Sequence, residues 1–262
     1  ATPNSTHCDY AITALRAGKH VLCEKPLACS AEEVRMMTEA SRKSGKALME
    51  AMISTLNPNF LAAREMIPAI APVRHYNSSF CQYSSRYDEL KKGIVSNSCS
   101  PLSGGGASGE GGIYVTYPAV VLFGRPRAVK SNIVRFDTAY GPTDVHGTIL
   151  LEYPDMTAVL SYSKVVDSFA PTEICAEKGN LILDETHICR QLSFCPHGTP
   201  TSGRGEKCTP NVLRSGLERD EYFYEFEEFI SVIERGDIES RINSHEISLI
   251  NREILDAALT EV

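Results

Sequence analysis

Glu24-Lys25-Pro26 closes the apolar run Val21-Leu22-Cys23 and is the group of residues in this sequence best suited to chemistry. A short apolar run ended by charged residues reads as a buried strand. In open α/β sheets, ligands bind outside the carboxyl ends of strands. A lysine fixed there by a following proline is well placed to act on a bound small molecule. Upstream, Ala1-Thr2-Pro3-Asn4 reads as a loop, and Ser5 to Ala17 as a short helix closed by Gly18. A second candidate cluster is His187-x-Cys189 with Cys195-x-His197. Alternate residues share a strand face, so a hairpin could present four nitrogen and sulfur ligands there. The spacing matches no common zinc pattern, and Gln191 to Phe194 between them reads as plain strand. No metal is expected.

The segments that would hold Lys25 in place are read from periodicity and punctuation. Ser30-Ala31-Glu32-Glu33 is a capping box opening a helix, with Val34, Met37 and Ala40 on one side and Gly45 at its end. Ala47 to Met52 reads as a second buried strand, and a further helix starts near Asn57-Pro58, carrying Phe60, Ala63, Met66 and Ile67. Alternating β and α segments imply a parallel sheet. Beyond Pro72 the character changes. Val73 to Tyr83 reads as a long strand, and Ser84 to Gly106 as a polar, irregular stretch. Strands are then expected at Ala128–Phe136, Gly147–Tyr153, Thr157–Lys164, Thr172–Ala176 and Asn180–Leu183. Tyr153-Pro154-Asp155 and Lys178-Gly179-Asn180 are turn signals, so these strands should form antiparallel hairpins. Pro196 to Gly205 reads as a loop. Glu221 to Gly236 reads as an amphipathic helix with Phe223, Phe226, Phe229, Ile230 and Ile233 on one face, and Ser244 caps a last helix through Leu259.

Thr2-Pro3-Asn4 and Glu24-Lys25-Pro26, at this separation, resemble the glucose-fructose oxidoreductase, inositol dehydrogenase and rhizopine catabolism (Gfo/Idh/MocA) family of NAD(P)-dependent oxidoreductases. A second resemblance lies in the glycine-rich stretch from Gly104 to Gly112, which runs through Tyr114 and Pro118 to Gly124-Arg125-Pro126. Family members carry Asp-x-Gly-x-His or Asp-x-Gly-x-Tyr there, then an apolar helix ending in Gly-x-Pro. The resemblance implies that Lys25 and Tyr114 are catalytic, that Glu110 takes the acidic position, and that Gly112 is the structural glycine. It gives Thr2, Pro3, Asn4, His7, Glu24, Lys25 and Pro26 to binding of NAD or NADP. Tyrosine at 114 is similar to the dihydrodiol-dehydrogenase branch, and glutamate at 110 departs from the family's aspartate. Spacing of four along a helix puts Glu110 and Tyr114 on one face with Tyr117 beside them. Tyr117 is a candidate for lining the substrate pocket, with ordinary packing as the alternative. Hydride transfer from a carbinol carbon needs a partner for the hydroxyl proton. A free tyrosine, with a pKa of about 10, is a poor base at neutral pH. A nearby Lys25 ammonium would lower that value, and the lysine would also polarise the substrate oxygen.

The implied plan is the C-terminal part of a Rossmann dinucleotide-binding domain over residues 1–54, then a large, mainly antiparallel sheet domain with helices on one face over residues 55–262. The last helix, over 244–260, is expected to pack back near the nucleotide domain. No G-x-G-x-x-G turn after a strand is present, and Gly104 to Gly112 makes a poor phosphate loop. By the resemblance, roughly 60–75 residues of a nucleotide domain would precede Ala1. The choice between NAD and NADP is therefore not legible.

Composition narrows the partners. The 262 residues carry a net charge of −7 with scattered basic residues, which argues against nucleic acid or an acidic membrane surface. No apolar run reaches membrane-span length. Nine cysteines without a C-x-x-C pair fit a reducing cytoplasm better than a disulfide framework. The expected function is hydride transfer between a nicotinamide cofactor and a sugar, polyol or diol, in a homodimer or homotetramer. The alternative is a non-catalytic sugar- or dinucleotide-sensing protein of the same fold.

Overall fold

The computed structural model describes residues 2–197 and 209–260. After a 3₁₀ turn at Asn4–Thr6, helix α1 (His7–Arg16) leads to strand β1 (Val21–Glu24), helix α2 (Ala31–Ser44) and strand β2 (Leu48–Ala51). β1 and β2 pair in parallel, Val21 opposite Leu48 and Glu24 opposite Ala51. Leu15, Cys23, Leu27, Val34, Met37 and Leu48 close a small apolar core beneath them. The α2 start is a variant of the capping box: the Ser30 side chain accepts from the Glu33 amide, and Glu33 Oε2 accepts from the amide of Cys29, one residue before the cap, at 2.8 Å. Such a cap is worth about 1 kcal/mol. Gly45 ends the helix at φ +64°, a left-handed position that glycine occupies at little cost.

The rest of the chain is a sheet covered on one face. Short α3 (Ile53–Leu56) and α4 (Pro58–Ile70) precede β3 (Val73–Cys81), and α5 (Ser85–Lys91) precedes α6 (Ile113–Phe123). Then come β4 (Ala128–Thr138), β5 (Gly141–Glu152), β6 (Thr157–Ser163), β7 (Thr172–Ala176), β8 (Gly179–Leu183), β9 (Gln191–Pro196) and β10 (Asn211–Ser215). Helices α7 (Glu221–Glu234) and α8 (His245–Thr260) close the chain. The order across the sheet is β10-β9-β8-β7-β3-β6-β5-β4. Every neighbouring pair is antiparallel except β3 with β6, which run parallel. Alternation along the strands sends Tyr76, Ile149, Leu160 and Ile174 toward α4, α6 and α8, where they are buried. The opposite face, carrying His75, Asn77, Leu150 and Val159, is half-buried. Helix α8 also reaches α2: Asp256 accepts from the Ala31 amide, and Glu253 pairs with Arg35.

Four segments differ from the sequence expectation, each for a physical reason. Residues 84–106 are ordered rather than irregular. The Ser84 side chain caps α5, and two 3₁₀ turns bury Cys99 with Leu90 and Val145 in a satellite core. Strand β5 begins at Gly141, not Gly147, because a register shift between Val134 and Arg135 lets β4 go on pairing past a segment whose Gly-Pro start reads as a turn. Strand β10 gave no apolar alternation because it is an exposed, bulged edge. Helix α7 is rotated from its apolar face: Glu225 and Val232 point inward, whereas Phe223, Phe226 and Ile230 are 43%, 54% and 52% exposed. The loop expected at Pro196–Gly205 lies, from residue 198 on, outside the described residues, as does Cys208.

Candidate active site

The carboxyl end of β1 is built by a set of buried hydrogen bonds. His7 is buried in α1, its Nδ1 2.9 Å from the Pro26 carbonyl oxygen and its Nε2 3.2 Å from that of Thr2. The imidazole thus ties the Thr2-Pro3-Asn4 loop to the Lys25-Pro26 turn. Asn4 Nδ2 donates to the Gly104 carbonyl at 3.0 Å, joining that loop to the glycine-rich segment. From below, Glu50 Oε1 accepts from the Leu27 amide at 2.7 Å. Glu50 is fully buried at the end of β2, and burial pushes its carboxyl up to about 7 against the pull of Ser248 and the Leu27 amide.

Lys25 reaches the second half of the site. Its Nζ donates to the Glu110 carbonyl oxygen at 2.8 Å and lies 4.7 Å from the centroid of the Tyr114 ring. Lys25, Glu110 and Tyr114 line one cavity of about 410 Å³. Burial lowers the Lys25 pKa, opposed by the charges of Glu110 and Glu24 and helped by that of Lys164. Residues Ser108–Gly112 form a π-helical turn ahead of α6, a distortion frequent at functional sites. The turn is clamped at its start by Asp144 of β5, whose Oδ2 accepts from the Ser108 amide at 2.6 Å. Its glycines let rings approach: a Cβ on Gly111 would stand 3.0 Å from Phe80, and one on Gly112 3.1 Å from Tyr162. The Tyr114 carbonyl accepts from Thr186 Oγ1 at 2.9 Å.

The structure brings Thr2, Pro3, Asn4, Glu24, Lys25, Pro26, Glu110 and Tyr114 to one end of β1, and its geometry departs from the sequence expectation at Tyr117, Glu110, the Lys25–Tyr114 pair and His7. Tyr117 does not line the cavity. It is fully buried among helix-packing residues, its hydroxyl 3.1 Å from Ser248 Oγ. The π turn shifts the helical phase, so Glu110 meets Lys25 with its backbone carbonyl rather than through a plain four-residue face. Lys25 stands over the Tyr114 ring instead of beside its hydroxyl. Burial, with the charges of Tyr222, Glu24, Glu110 and Glu225, drives the Tyr114 pKa up, not down. His7 serves the loop's shape, its ring nitrogens facing protein carbonyls.

His187 enters from a direction that spacing did not suggest. Its ring packs edge-on to Phe80 and Tyr114, at centroid distances of 5.0 and 5.9 Å. His197 instead bonds the Ala176 carbonyl oxygen at 2.7 Å. Among the described residues no three His, Cys, Asp or Glu side chains converge on a metal position.

Comparison with known proteins identifies the family. The sequence profile of an oxidoreductase family with an NAD-binding Rossmann fold (GFO_IDH_MocA) matches residues 1–52. The scyllo-inositol 2-dehydrogenase (NADP(+)) IolU of Bacillus subtilis is 38% identical over 258 residues, 98% of this chain and 75% of that protein. The dTDP-3,4-didehydro-2,6-dideoxy-alpha-D-glucose 3-reductase of Streptomyces violaceoruber is 29% identical over 189 residues, 71% of this chain and 53% of that protein. Among solved structures, an NAD binding oxidoreductase from Klebsiella pneumoniae superposes with a TM-score of 0.82 at 22% identity, covering 100% of this chain and 76% of that one. With 98% of its length matched by the Bacillus subtilis relative, the chain belongs to the Gfo/Idh/MocA family of NAD(P)-dependent oxidoreductases.

Proposed function

We propose that this protein transfers hydride between NAD or NADP and the CH–OH or C=O group of a sugar, polyol or diol. The observation that carries the reading is the half-buried Lys25 amine, its pKa lowered by desolvation, standing over Tyr114 at the carboxyl end of a parallel strand. Thr2, Pro3, Asn4, Glu24, Lys25 and Pro26 would hold the nicotinamide cofactor, which supplies the hydride acceptor or donor; the His7 bridge supports this by drawing both loops together. In the oxidative direction the substrate hydroxyl gives up its proton to the site as the carbinol C–H leaves with its electron pair. Lys25 is the group best matched to take that proton, since it stands in the cavity beside Tyr114 and desolvation lowers its pKa. Tyr114, held as a phenol by burial, donates a hydrogen bond to the substrate oxygen. The Bacillus relative's own substrate is a cyclic polyol, which supports the substrate class.

We assign residues 1–54 to the nucleotide-binding domain and 55–262 to the substrate domain. We place self-association into a homodimer or homotetramer on the half-buried sheet face around His75, Asn77, Val159 and Leu150. A reducing cytoplasm is the compartment that suits the free thiols of the described residues. No described helix is long and apolar enough to cross a membrane. The test is oxidation of NADPH and NADH by purified protein with a panel of keto-sugars, inosose and diketones. Turnover above background that disappears in Lys25→Met supports the reading. Tight cofactor binding with no turnover on any carbonyl would favour the sensing protein instead.

A further inference from the structure

The cavity at Lys25 has more positive charge than proton transfer requires. Besides Lys25 and Glu110, it is lined by Arg86 of α5 and Lys164, which follows β6. Both are anchored on the same turn: Arg86 Nη1 donates to the Ser98 hydroxyl, and Lys164 Nζ to the Ser98 carbonyl oxygen at 3.0 Å. Among the described residues neither forms an ion pair with a carboxylate, unlike Arg35, Arg74, Arg125 and Arg190 elsewhere on the surface. Neutral hydrogen-bond partners fix the two side chains without cancelling their charge. Three cations thus line a cavity of about 410 Å³ in which Glu110 is the one acidic lining residue, while the carboxylates of Glu24 and Asp144 act on Lys25 and Lys164 from outside the lining. A pocket with such a residual charge favours a ligand of opposite sign.

We infer that Arg86 and Lys164 form a subsite for an anionic substituent of the substrate, a carboxylate or a phosphate carried away from the reacting carbinol. The inference rests on the oxidoreductase reading for the identity of the reacting group, but the binding preference does not depend on turnover. A sugar acid or sugar phosphate would lay its reacting carbon at Lys25 and Tyr114 and its anionic end against Arg86, whose planar fork can take two oxygens, and Lys164.

Calorimetric titration separates the possibilities. Protein saturated with NADP would be titrated with D-gluconate, D-glucose 6-phosphate and the neutral D-glucitol, in wild type, Arg86→Gln and Lys164→Gln. The expected result is that at least one anion binds tenfold or more tighter than glucitol. That advantage should fall about tenfold in each variant, while glucitol affinity stays within twofold. The better of the two anions identifies the substituent. Glucitol binding as tightly as both anions would overturn the inference. So would variants that lose NADP affinity and leave gluconate and glucose 6-phosphate unchanged, because the cations would then serve the cofactor's phosphates. If the anion preference is present but no carbonyl is reduced, the subsite stands and the catalytic reading fails.

Discussion

Lys25 Nζ stands over the face of the Tyr114 ring, 4.7 Å from its centroid, while donating to the Glu110 carbonyl oxygen 2.8 Å away. The ammonium is drawn to the π face and to a backbone oxygen, so its charge does little to release the phenolic proton. The two groups therefore divide the work. Burial makes the lysine the easier to deprotonate and the tyrosine the harder. Removing the base should cost more than removing the hydrogen-bond donor. We expect Lys25→Met to lower kcat about 10³-fold or more, and Tyr114→Phe about 10²-fold, within the usual span of general acid–base catalysis. Tyr114→Phe should keep cofactor affinity within a few-fold, read by NADPH fluorescence titration. Equal, small losses in both would show that neither handles the proton.

The second expectation concerns pH. In the oxidative direction kcat/KM should rise with pH as Lys25 loses its proton, with the limb centred below the free-lysine value of about 10.4. Burial is the main cause of that lowering, and the Lys164 charge adds to it against Glu110, Glu24 and Glu50. Replacing Lys164 with Gln removes a repulsion, so the Lys25 pKa should climb and the limb move to higher pH. A limb that stays in place, or moves down, would mean that another group controls the profile.

Glu50 gives a stability signature of its own. Its pKa is raised from 4.5 to about 7 in the folded protein, so between those values the native state holds a proton that the unfolded chain has released. By linkage this contribution is fully present below about pH 4.5 and is lost as pH rises through 7. The full shift corresponds to about 3 kcal/mol. Glu50→Gln keeps an acceptor for the Leu27 amide and cannot ionise. The stability of wild type relative to this variant, from urea melts, should therefore decline from pH 4.5 to 7.5 and then level off. A flat difference would place the Glu50 titration at its ordinary value.

Much of this site was legible because its determinants are local. The apolar run before Lys25, the Ser30–Glu33 cap and the turn-separated hairpins each declare themselves within a dozen residues, and the structure keeps them. Tyr117 was misplaced because a helix wheel fixes spacing but not rotation: α6 turns Tyr114 to the cavity and, three residues on, packs Tyr117 inward against Ser248. The pull of Lys25 on Tyr114 was misjudged for a similar reason. Sequence can bring an ammonium near a ring, but not say whether it meets the face or the hydroxyl. Asp144 and Thr186 gave no signal, and His187 gave one only as a metal-ligand candidate, since the fold carries them to Ser108 and Tyr114 from 36 to 73 residues away in sequence.

Thr186 offers a way to separate position from chemistry at Tyr114. Its hydroxyl donates to the Tyr114 carbonyl at 2.9 Å and is itself hydrogen-bonded to Ser78 at 2.8 Å. Thr186→Val keeps the shape and removes the donor, leaving a buried carbonyl unsatisfied at a cost of about 1–3 kcal/mol. We expect kcat to fall by about tenfold with little change in the pH profile, since no titrating group is altered. A shift of the ascending limb, at unchanged maximal rate, would contradict a purely positional role.

Gly112 decides between two opposed physical effects. Its backbone is helical, φ −59°, so alanine there should gain up to about 1 kcal/mol of helix propensity. Against this, the new Cβ would stand 3.1–3.3 Å from three atoms of the Tyr162 ring. That ring cannot retreat: it is fully buried, and a Cβ on Gly147 behind it would lie only 2.6 Å from Tyr162 Cζ and Oη. Overpacking of this kind costs about 1–3 kcal/mol, so the clash should win. The strain falls two residues before Tyr114, and displacing a reacting group by about 1 Å can cost as much as 10²-fold in rate. Gly112→Ala should therefore lower both thermal stability and kcat, and Gly112→Ala combined with Tyr162→Leu should recover part of kcat by making room. If the single variant melts higher than wild type at full activity, the Tyr162 contact is softer than its geometry implies and the glycine is not required by packing.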